Sequence, residues 1–343
     1  MSWTITVAGD PQPVPADEGE TILDALLRHG VGFAYSCQSG NCGTCRCEYV
    51  SGEIFELEYS EHALPPGERA RGIILACRSQ VWSDVQIRRL SSEEFVMHPS
   101  RVMQCRVQEL EFVTHDVLRL RMEIEEGGPY TFSAGQFAKL QFPFAADIPR
   151  DYSMANCPDE EGLEFHIRCI AGGVSGQIPS LLSVGDRVRV CGPFGTSYLR
   201  EQHEGALLAV AGGTGFAPIR SIVAAALNKR LARPIHLYFG VRAERDVYGE
   251  AELREWERRH PNLTVHIVLS DQTALNGSRR YGLVTDAVRS DLPGLGVVQA
   301  YLAGPPAMVD AASEMLAAAG VPARDIHADA FYSAPDSGTG AAA

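Results

Sequence analysis

Apolar residues alternate with polar ones at the start of the chain, and the spacing then becomes helical. Trp3, Ile5 and Val7 lie two residues apart, which predicts a strand with one buried face. Thr21-Ile-Leu-Asp24 has the form of a capping box, so we expect a helix to begin there and to end at Gly30. A cysteine-rich loop follows. The pattern predicts a first domain of α+β type at residues 1–95, with a polar linker around residues 91–100.

A second pattern begins at Val102, where short alternating stretches are separated by glycine, proline and aspartate. The predicted strands are Gln104 to Val113, Val117 to Ile124, Gln136 to Phe142, Leu163 to Ile170 and Arg187 to Val190. Their regular spacing and turn residues predict an antiparallel β-barrel domain at residues 101–200.

A third pattern begins at Ala206, where continuous apolar stretches alternate with helical ones. The predicted strands are Ala206 to Ala211, Ile235 to Phe239, Val265 to Leu269 and Ala300 to Leu302. Strands separated by helices are typical of an α/β domain with a parallel sheet, here at residues 205–332. Residues 333–343 have no apolar periodicity and are predicted to be a disordered tail.

Charge and cysteine content narrow the class of protein. The 343 residues include 30 Lys plus Arg and 43 Asp plus Glu, a net charge of −13, which disfavours nucleic acids and anionic membranes as partners. The N-terminal residues do not have the order of a secretory signal, and glycines, Pro218 and Arg220 interrupt the most apolar stretch. We therefore expect a cytoplasmic protein. In a reducing compartment, nine cysteines favour metal ligation or buried thiols over disulfides.

Four cysteines have a spacing that predicts a metal centre. Cys37, Cys42 and Cys45 follow the pattern C-x4-C-x2-C, and 31 residues separate Cys45 from Cys77. This is the plant-type spacing for a [2Fe-2S] cluster held by four thiolates. Zinc is the alternative, but a zinc site would usually add a second close Cys or His pair near Cys77. The other cysteines are expected to be buried packing residues.

A hexapeptide in the second domain points to a flavin. Arg150-Asp-Tyr-Ser-Met-Ala155 resembles the Arg-x-Tyr-Ser-x-Ala motif of the ferredoxin–NADP reductase superfamily. The resemblance implies that Arg150 pairs with the flavin pyrophosphate, that Tyr152 lies against the isoalloxazine, and that the Ser153 hydroxyl faces its N5 region. Tyr152 and Ser153 are thus the candidate catalytic residues. The alternatives are a surface arginine at position 150 and a core tyrosine at position 152.

A second flavin element of that superfamily is matched more loosely. His166-Ile-Arg168 and Gly172-Gly-Val-Ser175 resemble it, and the resemblance assigns His166, Arg168, Gly173 and Ser175 to the remaining flavin contacts. It also favours FAD over FMN.

Glycines between a strand and a helix predict the nucleotide site in the third domain. Gly212-Gly-Thr-Gly215 follows an apolar strand, and Pro218 suits the first turn of the next helix. Such a turn presents free N–H groups and a positive helix dipole to a pyrophosphate, so Gly212, Gly213, Thr214, Gly215 and Pro218 are candidate contacts. A purely structural turn is the alternative. The ending Gly240-Val-Arg242 has the Gly-x-Arg form seen in the same superfamily, which adds Arg242.

Two further stretches extend this resemblance. Asp271 occupies a region where NADP-using relatives place basic residues; its carboxylate would repel a 2′-phosphate, which favours NADH and leaves NADPH as the alternative. Tyr301-Leu-Ala-Gly304-Pro305 is similar to the superfamily's Cys-Gly-Pro-Pro loop beside the nicotinamide, with Ala303 in place of the usual cysteine. Phe331 is the aromatic residue expected to cover the flavin, and core packing is an equally good interpretation.

The order iron–sulfur, flavin, nicotinamide resembles the reductase components of bacterial ring-hydroxylating dioxygenases over nearly the whole chain. The resemblance implies a β-grasp ferredoxin domain, an FAD-binding barrel and an NAD-binding α/β domain. It also implies an oxidoreductase that passes single electrons from NADH to a ferredoxin or Rieske oxygenase, here as a monomer. Reductases of diiron monooxygenases and of deoxysugar biosynthesis share the layout, and a non-enzymatic iron–sulfur sensor is a further alternative.

Overall fold

The first domain of the computed structural model, which describes residues 2–90, 96, 98–271 and 279–332, is a mixed sheet packed on a helix. Its helices are α1 (Ile22–Arg28) and α2 (Pro66–Arg69). Its strands are β1 (Ser2–Val7), β2 (Val14–Asp17), β3 (Arg46–Ser51), β4 (Ile54–Glu56), β5 (Ile73–Leu75), β6 (Ser79–Val81) and β7 (Val85–Arg89). Five strands form a sheet in the order β2-β1-β7-β3-β5, with β1 and β7 parallel, and β4 pairs with β6 separately. Parallel terminal strands beside a helix agree with the expected β-grasp.

The helix α1 begins where the sequence predicts it. The Thr21 hydroxyl accepts a hydrogen bond from the Asp24 N–H (3.1 Å), and Gly30 follows the helix with a φ of 71°. Ile22, Leu23 and Leu26 are fully buried on its inner face. Burial of this face fixes the helix against the sheet and positions the cysteine-rich loop that comes next.

The second domain is the expected antiparallel barrel. Its elements are β8 (Arg101–Phe112), β9 (Val117–Glu126), β10 (Phe137–Gln141), β11 (Arg150–Ser153), β12 (Leu163–Arg168), α3 (Val174–Leu181) and β13 (Arg187–Phe194). The strand order is β11-β10-β13-β8-β9-β12. A bridge between Met154 and Phe165 joins the two ends of this order and brings β11 next to β12. The barrel is therefore closed at the strand that carries the hexapeptide.

The third domain is a parallel sheet with helices. Its elements are β14 (Ala206–Gly212), α4 (Phe216–Asn228), β15 (Ile235–Val241), α5 (Glu250–Arg259), β16 (Leu263–Leu269), β17 (Arg280–Tyr281), α6 (Val284–Asp291), β18 (Val298–Gly304), α7 (Pro306–Ala318) and β19 (Ile326–Ala330). The order is β17-β16-β15-β14-β18-β19, with every pair parallel. Every residue of β14 and β18 is buried, because helices cover both faces of the sheet. Strand order reverses between β14 and β18, where a parallel sheet usually binds its ligand.

The three domains contact one another through polar groups near their candidate sites. The backbone of Tyr35 in the first domain exchanges hydrogen bonds with Thr196 of the second. Lys139 of β10 donates to the side-chain oxygen of Gln38 (2.9 Å). Arg220 of α4 donates to the carbonyl of Ala155 (2.7 Å). These contacts hold the three sites close together. The predicted tail at residues 333–343 lies outside the described residues.

Candidate functional site

The cysteine loop brings four thiols together in two pairs. Cys45 and Cys77 have their Sγ atoms 3.2 Å apart, and the Cys42 thiol donates to the Sγ of Cys37. That hydrogen bond lowers the pKa of Cys37 to about 5, helped by the N–H groups of Ser39 and Asn41, which point at the same sulfur. Cys37 is thus prepared to act as a thiolate, the form that binds metal.

The spread of the sulfurs favours a two-iron cluster over zinc. In the described part of the chain, no three of these sulfurs lie within 4.8 Å of one another. A tetrahedral zinc ion with Zn–S bonds near ~2.3 Å would bring all four sulfurs closer than that. Two separate thiol pairs suit two irons, each held by one pair. The neighbouring Cys47 is fully buried, burial raises the pKa of its thiol, and it remains a packing residue.

Glycine is required at two positions of this loop. Gly40 and Gly43 have φ values of 78° and 71°, in the left-handed region. A Cβ on Gly43 would lie 2.6 Å from the carbonyl oxygen of Ala63, and one on Gly40 would lie 2.9 Å from the side chains of Tyr59 and Arg78. The loop therefore closes around the thiols in a way that larger residues would prevent.

The hexapeptide lies on β11, which the sequence did not predict as a strand. Tyr152 pairs with Ala138 in register, and its ring contacts Phe142 edge to face, with the centroids 6.3 Å apart. Arg150 donates to the carbonyl of Pro149 (3.1 Å) and, among the described residues, makes no direct ion pair, although its charge acts on the nearby Asp151 carboxylate. A guanidinium without a direct ion pair can bind a phosphate, so the donor set fits the predicted flavin contact.

The second flavin element surrounds the start of α3. Gly173 is the N-cap of α3, and the Ser175 hydroxyl accepts a hydrogen bond from Ile170 (3.1 Å). The first N–H groups of the helix are thus available to a phosphate. His166 contacts Glu164 (3.0 Å) and Tyr248 (3.3 Å) through its two ring nitrogens, and burial lowers its pKa. The role predicted for His166 stays a prediction, since both ring nitrogens have protein partners.

A cavity of about 220 Å³ opens at the carboxyl ends of the parallel strands. Of the predicted residues, it is lined by Arg168, Gly212, Gly213, Arg242 and Pro305. A Cβ on Gly213 would meet nothing closer than 3.9 Å, so the backbone faces open space. The cavity joins the flavin barrel, through Arg168, to the nucleotide domain.

The remaining glycines let β14 and β18 approach each other at this edge. A Cβ on Gly215 would lie 2.0 Å from the carbonyl oxygen of Ala303, and one on Gly304 would lie 2.6 Å from that of Gly212. Thr214 lies in the short turn between β14 and α4, and Pro218 is buried in the first turn of α4. The turn places free N–H groups beside the cavity, as a pyrophosphate requires.

Acidic residues surround the two arginines of the cavity. Arg168 donates to Asp116 (3.0 Å), and Arg242 lies 3.8 Å from Asp116 and 3.5 Å from Asp246. Burial raises the pKa of Asp116, but the Arg168 guanidinium, the Thr114 hydroxyl and His115 together outweigh it, and the pKa lies below its ordinary value. Asp271 is exposed next to this group, and its N–H donates to the carbonyl of Arg242 (2.8 Å). The cations that could attract a 2′-phosphate are therefore largely neutralised.

The sequence interpretation missed Asp329, a buried carboxylate at the junction of the three domains. Its Oδ1 accepts from the Ser36 hydroxyl (3.2 Å) and its Oδ2 from the Ser153 hydroxyl (3.4 Å). Burial raises the pKa of Asp329 to about 6. Ser36 precedes Cys37, a candidate cluster ligand, so the Asp329 side chain connects the cysteine loop, the flavin motif and strand β19. A prediction that β19 pairs with β18 would have placed Asp329 at the carboxyl edge of the sheet, next to the candidate site.

Phe331 lies just beyond β19. It is half-buried, and its N–H donates to the carbonyl of Gly304 (2.9 Å). The aromatic ring predicted to cover the flavin is thereby fixed to the loop predicted to lie beside the nicotinamide.

Comparisons with known proteins agree with this arrangement. Residues 5–81 match the 2Fe-2S iron-sulfur cluster binding domain, residues 104–198 the oxidoreductase FAD-binding domain, and residues 209–314 the oxidoreductase NAD-binding domain. Over 318 residues the chain is 44% identical to the ferredoxin–NAD(P)+ reductase component of the naphthalene 1,2-dioxygenase/salicylate 5-hydroxylase systems of Ralstonia, covering 92% of this chain and 95% of the relative. It is 39% identical to the corresponding component of the naphthalene 1,2-dioxygenase system of Pseudomonas putida, covering 93% and 95%.

A solved structure shows the same architecture. The Amycolatopsis cytochrome P450 reductase superposes with a TM-score of 0.82 at 35% identity, covering 96% of this chain and 98% of that one.

The fold and the three sites define an iron–sulfur flavoprotein oxidoreductase of the ferredoxin–NAD(P)+ reductase class. The chain belongs to the family of ring-hydroxylating dioxygenase reductases with a 2Fe-2S ferredoxin domain. Its cofactors are a [2Fe-2S] cluster, FAD and NAD, and it transfers electrons from NADH through FAD and the cluster.

No helix within the described residues is long and apolar enough to cross a membrane.

Proposed function

We propose that this chain supplies single electrons from NADH to a ferredoxin or a Rieske oxygenase in the hydroxylation of an aromatic ring. The similarity to the reductase components of Ralstonia and Pseudomonas putida supports this acceptor class. We also propose a cytoplasmic monomer without nucleic-acid or membrane partners. The nine free cysteines and the net charge of −13 support that environment.

The observation that carries the proposal is the position of Asp329. The carboxylate connects Ser153 of the flavin motif to Ser36, next to the first cluster ligand. An oxidoreductase that moves electrons from a nicotinamide through a flavin to a cluster needs these sites in contact. A sensor that only binds nucleotide has no need for such a connection.

The protein residues position and polarise the bound groups. When bound, FAD accepts a hydride from NADH and releases the two electrons one at a time. Arg150 and the first N–H groups of α3 hold the phosphates. Ser153, whose hydroxyl donates to Asp329, would present a small hydrogen-bonding group to a bound flavin, and Tyr152 would supply an aromatic plane against it. The thiolates of Cys37, Cys42, Cys45 and Cys77 hold the cluster.

The charge around the cavity supports NADH over NADPH. Asp116 and Asp246 neutralise the guanidinium of Arg242, and Asp271 adds an exposed carboxylate beside it. Asp116 and Asp246 balance the two arginines that line the cavity, Arg168 and Arg242, and the exposed carboxylate of Asp271 would repel a 2′-phosphate.

Anaerobic titration with NADH tests the proposal. We expect NADH to bleach both flavin and iron–sulfur absorbance and to produce the EPR signal of a reduced cluster. Electron delivery is then compared among an added ferredoxin, a Rieske oxygenase and a diiron hydroxylase. A protein that dithionite bleaches but NADH does not would contradict the proposed electron path. Delivery to the diiron hydroxylase alone would replace the proposed acceptor.

A further inference from the structure

The small sheet of the first domain presents aromatic and acidic side chains to solvent. β4 and β6 are antiparallel, with Phe55 opposite Gln80 and the Trp82 N–H bonded to the carbonyl of Glu53. Opposite residues in such a pair project to the same side, so Glu53, Phe55, Gln80 and Trp82 form one outer face. We call these four residues the outer β4–β6 face. Phe55 is 57% and Trp82 44% exposed, although both are large and apolar.

This face lies beside the cluster loop. Cys77 is three residues before Gln80, and the carbonyl of Arg78 accepts from the Leu57 N–H (2.7 Å). The segment that continues from β4 then reaches the loop, where the Ser60 N–H donates to the carbonyl of Gly40 (3.0 Å). A protein bound across the Phe55–Gln80 end of this face and the segment up to Ser60 would be adjacent to the cluster loop, whereas Trp82 and Glu53 lie at the end of the face further from it.

The charge along this segment is predominantly negative, with the Arg78 guanidinium, which donates to the carbonyl of Glu58 (2.8 Å), as the neighbouring cation. Glu53, Glu58 and Glu61 are exposed, and none has an ion-pair partner among the described residues. Several other carboxylates of the domain pair with arginines: Glu20 with Arg28, Glu56 with Arg69, Glu48 with Arg88 and Asp10 with Arg89. Of the exposed carboxylates without an ion pair among the described residues of this domain, Glu53, Glu58 and Glu61 lie along this segment, Asp84 lies two residues after Trp82, and Asp24 lies on α1.

The other two domains leave this face uncovered. The first domain contacts them through Tyr35, Ser36, Gln38 and His62. Phe55 and Trp82 keep their exposure in the whole chain. Exposed aromatic residues with a charged rim are typical of protein interaction sites.

We propose that the outer β4–β6 face, with the rim of Glu53, Glu58 and Glu61, binds the protein that accepts electrons from the cluster. The acceptor is a one-electron redox protein with an apolar recess surrounded by Lys and Arg. The acceptor's surface chemistry follows from complementarity with this face: the glutamates attract cationic side chains, and Trp82 and Phe55 pack into an apolar recess. The inference rests on the proposed function, since it assumes that electrons leave through the cluster.

Two haem proteins of opposite charge test the surface. Mitochondrial cytochrome c, a basic one-electron acceptor, is compared with the acidic cytochrome b5, both with NADH and the holoprotein. We expect fast, salt-sensitive reduction of cytochrome c and slow reduction of cytochrome b5. The double variant Glu53→Gln/Glu58→Gln should slow cytochrome c reduction about fivefold at low salt and flatten its salt dependence. Trp82→Ala should slow it about tenfold, the fold-change of a lost anchor residue.

Matched controls distinguish loss of binding at the outer β4–β6 face from a change in net charge or in electron transfer within the protein. Glu204→Gln/Glu314→Gln removes the same charge from exposed positions outside the first domain and should leave cytochrome c reduction unchanged. Reduction of ferricyanide and bleaching of the cluster by NADH report the internal path and should match the wild type in every variant. If NADH fails to bleach the wild-type cluster, the proposed function fails rather than the surface.

Three outcomes would overturn the proposal that the outer β4–β6 face binds the electron acceptor. The first is equal cytochrome c rates in the wild type and the outer-face variants. The second is an equal loss in the control variant, which would show an effect of net charge alone. The third is a change in sedimentation of Trp82→Ala without a change in electron transfer, which would assign the face to self-association.

Discussion

At the scale of single residues, the least expected feature is a carboxylate buried between two serines. Asp329 is 8% exposed, and burial raises its pKa to about 6, whereas an unfolded aspartate titrates near ~3.9. The folded protein therefore holds this proton more tightly than the unfolded chain. Between these two pKa values its ionisation lowers the free energy of unfolding as the pH rises, and above about 6 the loss is complete.

Asp329→Asn should remove this pH dependence. As the pH rises from 5 to 8, the free energy of unfolding of the variant should increase by about 1.4 kcal/mol relative to that of the wild type, because only the wild type gains a buried charge over that interval. The urea-unfolding midpoint of the holoprotein at both pH values measures the difference. Asp159→Asn, at an exposed position, is the control and should follow the wild type. Parallel curves for all three proteins would rule out ionisation of Asp329 as the cause.

Ser153→Ala tests the hydroxyl that we propose lies beside the hydride-transfer step. The variant should keep its FAD, since Arg150 and the α3 N-terminus are unchanged, but flavin reduction by NADH should slow at least about tenfold after loss of an oriented polar group. Stopped-flow absorbance at the flavin band measures the rate. An unchanged rate in a protein with full flavin content would remove Ser153 from the hydride-transfer step.

At the scale of elements, the cysteine loop and the glycine turn could be predicted because their chemistry is local. Four thiolates that bind one cluster need a fixed spacing in the sequence, and a glycine-rich turn between a strand and a helix is typical of a phosphate-binding site. Two short polar strands, β11 and β19, were missed. Arg150-Asp-Tyr-Ser and Ile326-His-Ala-Asp-Ala have too few apolar residues to show a period, and pairing with neighbouring strands defines them instead. Both carry residues of the candidate site: Arg150, Tyr152 and Ser153 on β11 were predicted from their motif, whereas Asp329 on β19 was not.

Gly43→Ala should prevent assembly of the cluster. Both Gly43 and Gly30 have a φ of 71°, but a Cβ would lie 2.6 Å from a carbonyl oxygen only at Gly43, whereas at Gly30 it would meet nothing within 4 Å. Gly30→Ala is therefore a matched control that carries the backbone strain alone, about 1 kcal/mol. Iron and sulfide content of the purified variants measures the effect. Similar cluster content in both would show that the contact with Ala63 is unimportant.

At the scale of the whole molecule, the relation between domains could not be predicted. Ser36 and Asp329 are 293 residues apart in sequence, and no local pattern brings them together. The three domain types were confirmed because each has its own periodicity and motif. The contacts between the domains depend on tertiary packing, which no local sequence pattern predicts.

Ser36→Ala should uncouple the cluster from the flavin. Loss of a hydrogen bond to a charged group, roughly 1.5–3 kcal/mol, should loosen the cluster loop and slow flavin-to-cluster transfer about tenfold or more. Flavin reduction by NADH should be unaffected, because Ser153 keeps its contact with Asp329. Stopped-flow records at flavin and cluster wavelengths separate the steps. Ser51→Ala, at an exposed serine of the same domain, is the control; equal slowing of both steps would contradict a specific role for Ser36.

The contacts of Tyr35 and Gln38 with the barrel have a consequence for kinetic order. A ferredoxin that diffuses freely meets its reductase at a rate that depends on the concentration of both. Here the first electron acceptor is part of the same chain and packed against its donor, so its effective concentration is set by the fold. Reduction of the cluster should follow a first-order law that dilution does not change, and only the final transfer to a partner should depend on how much partner is present.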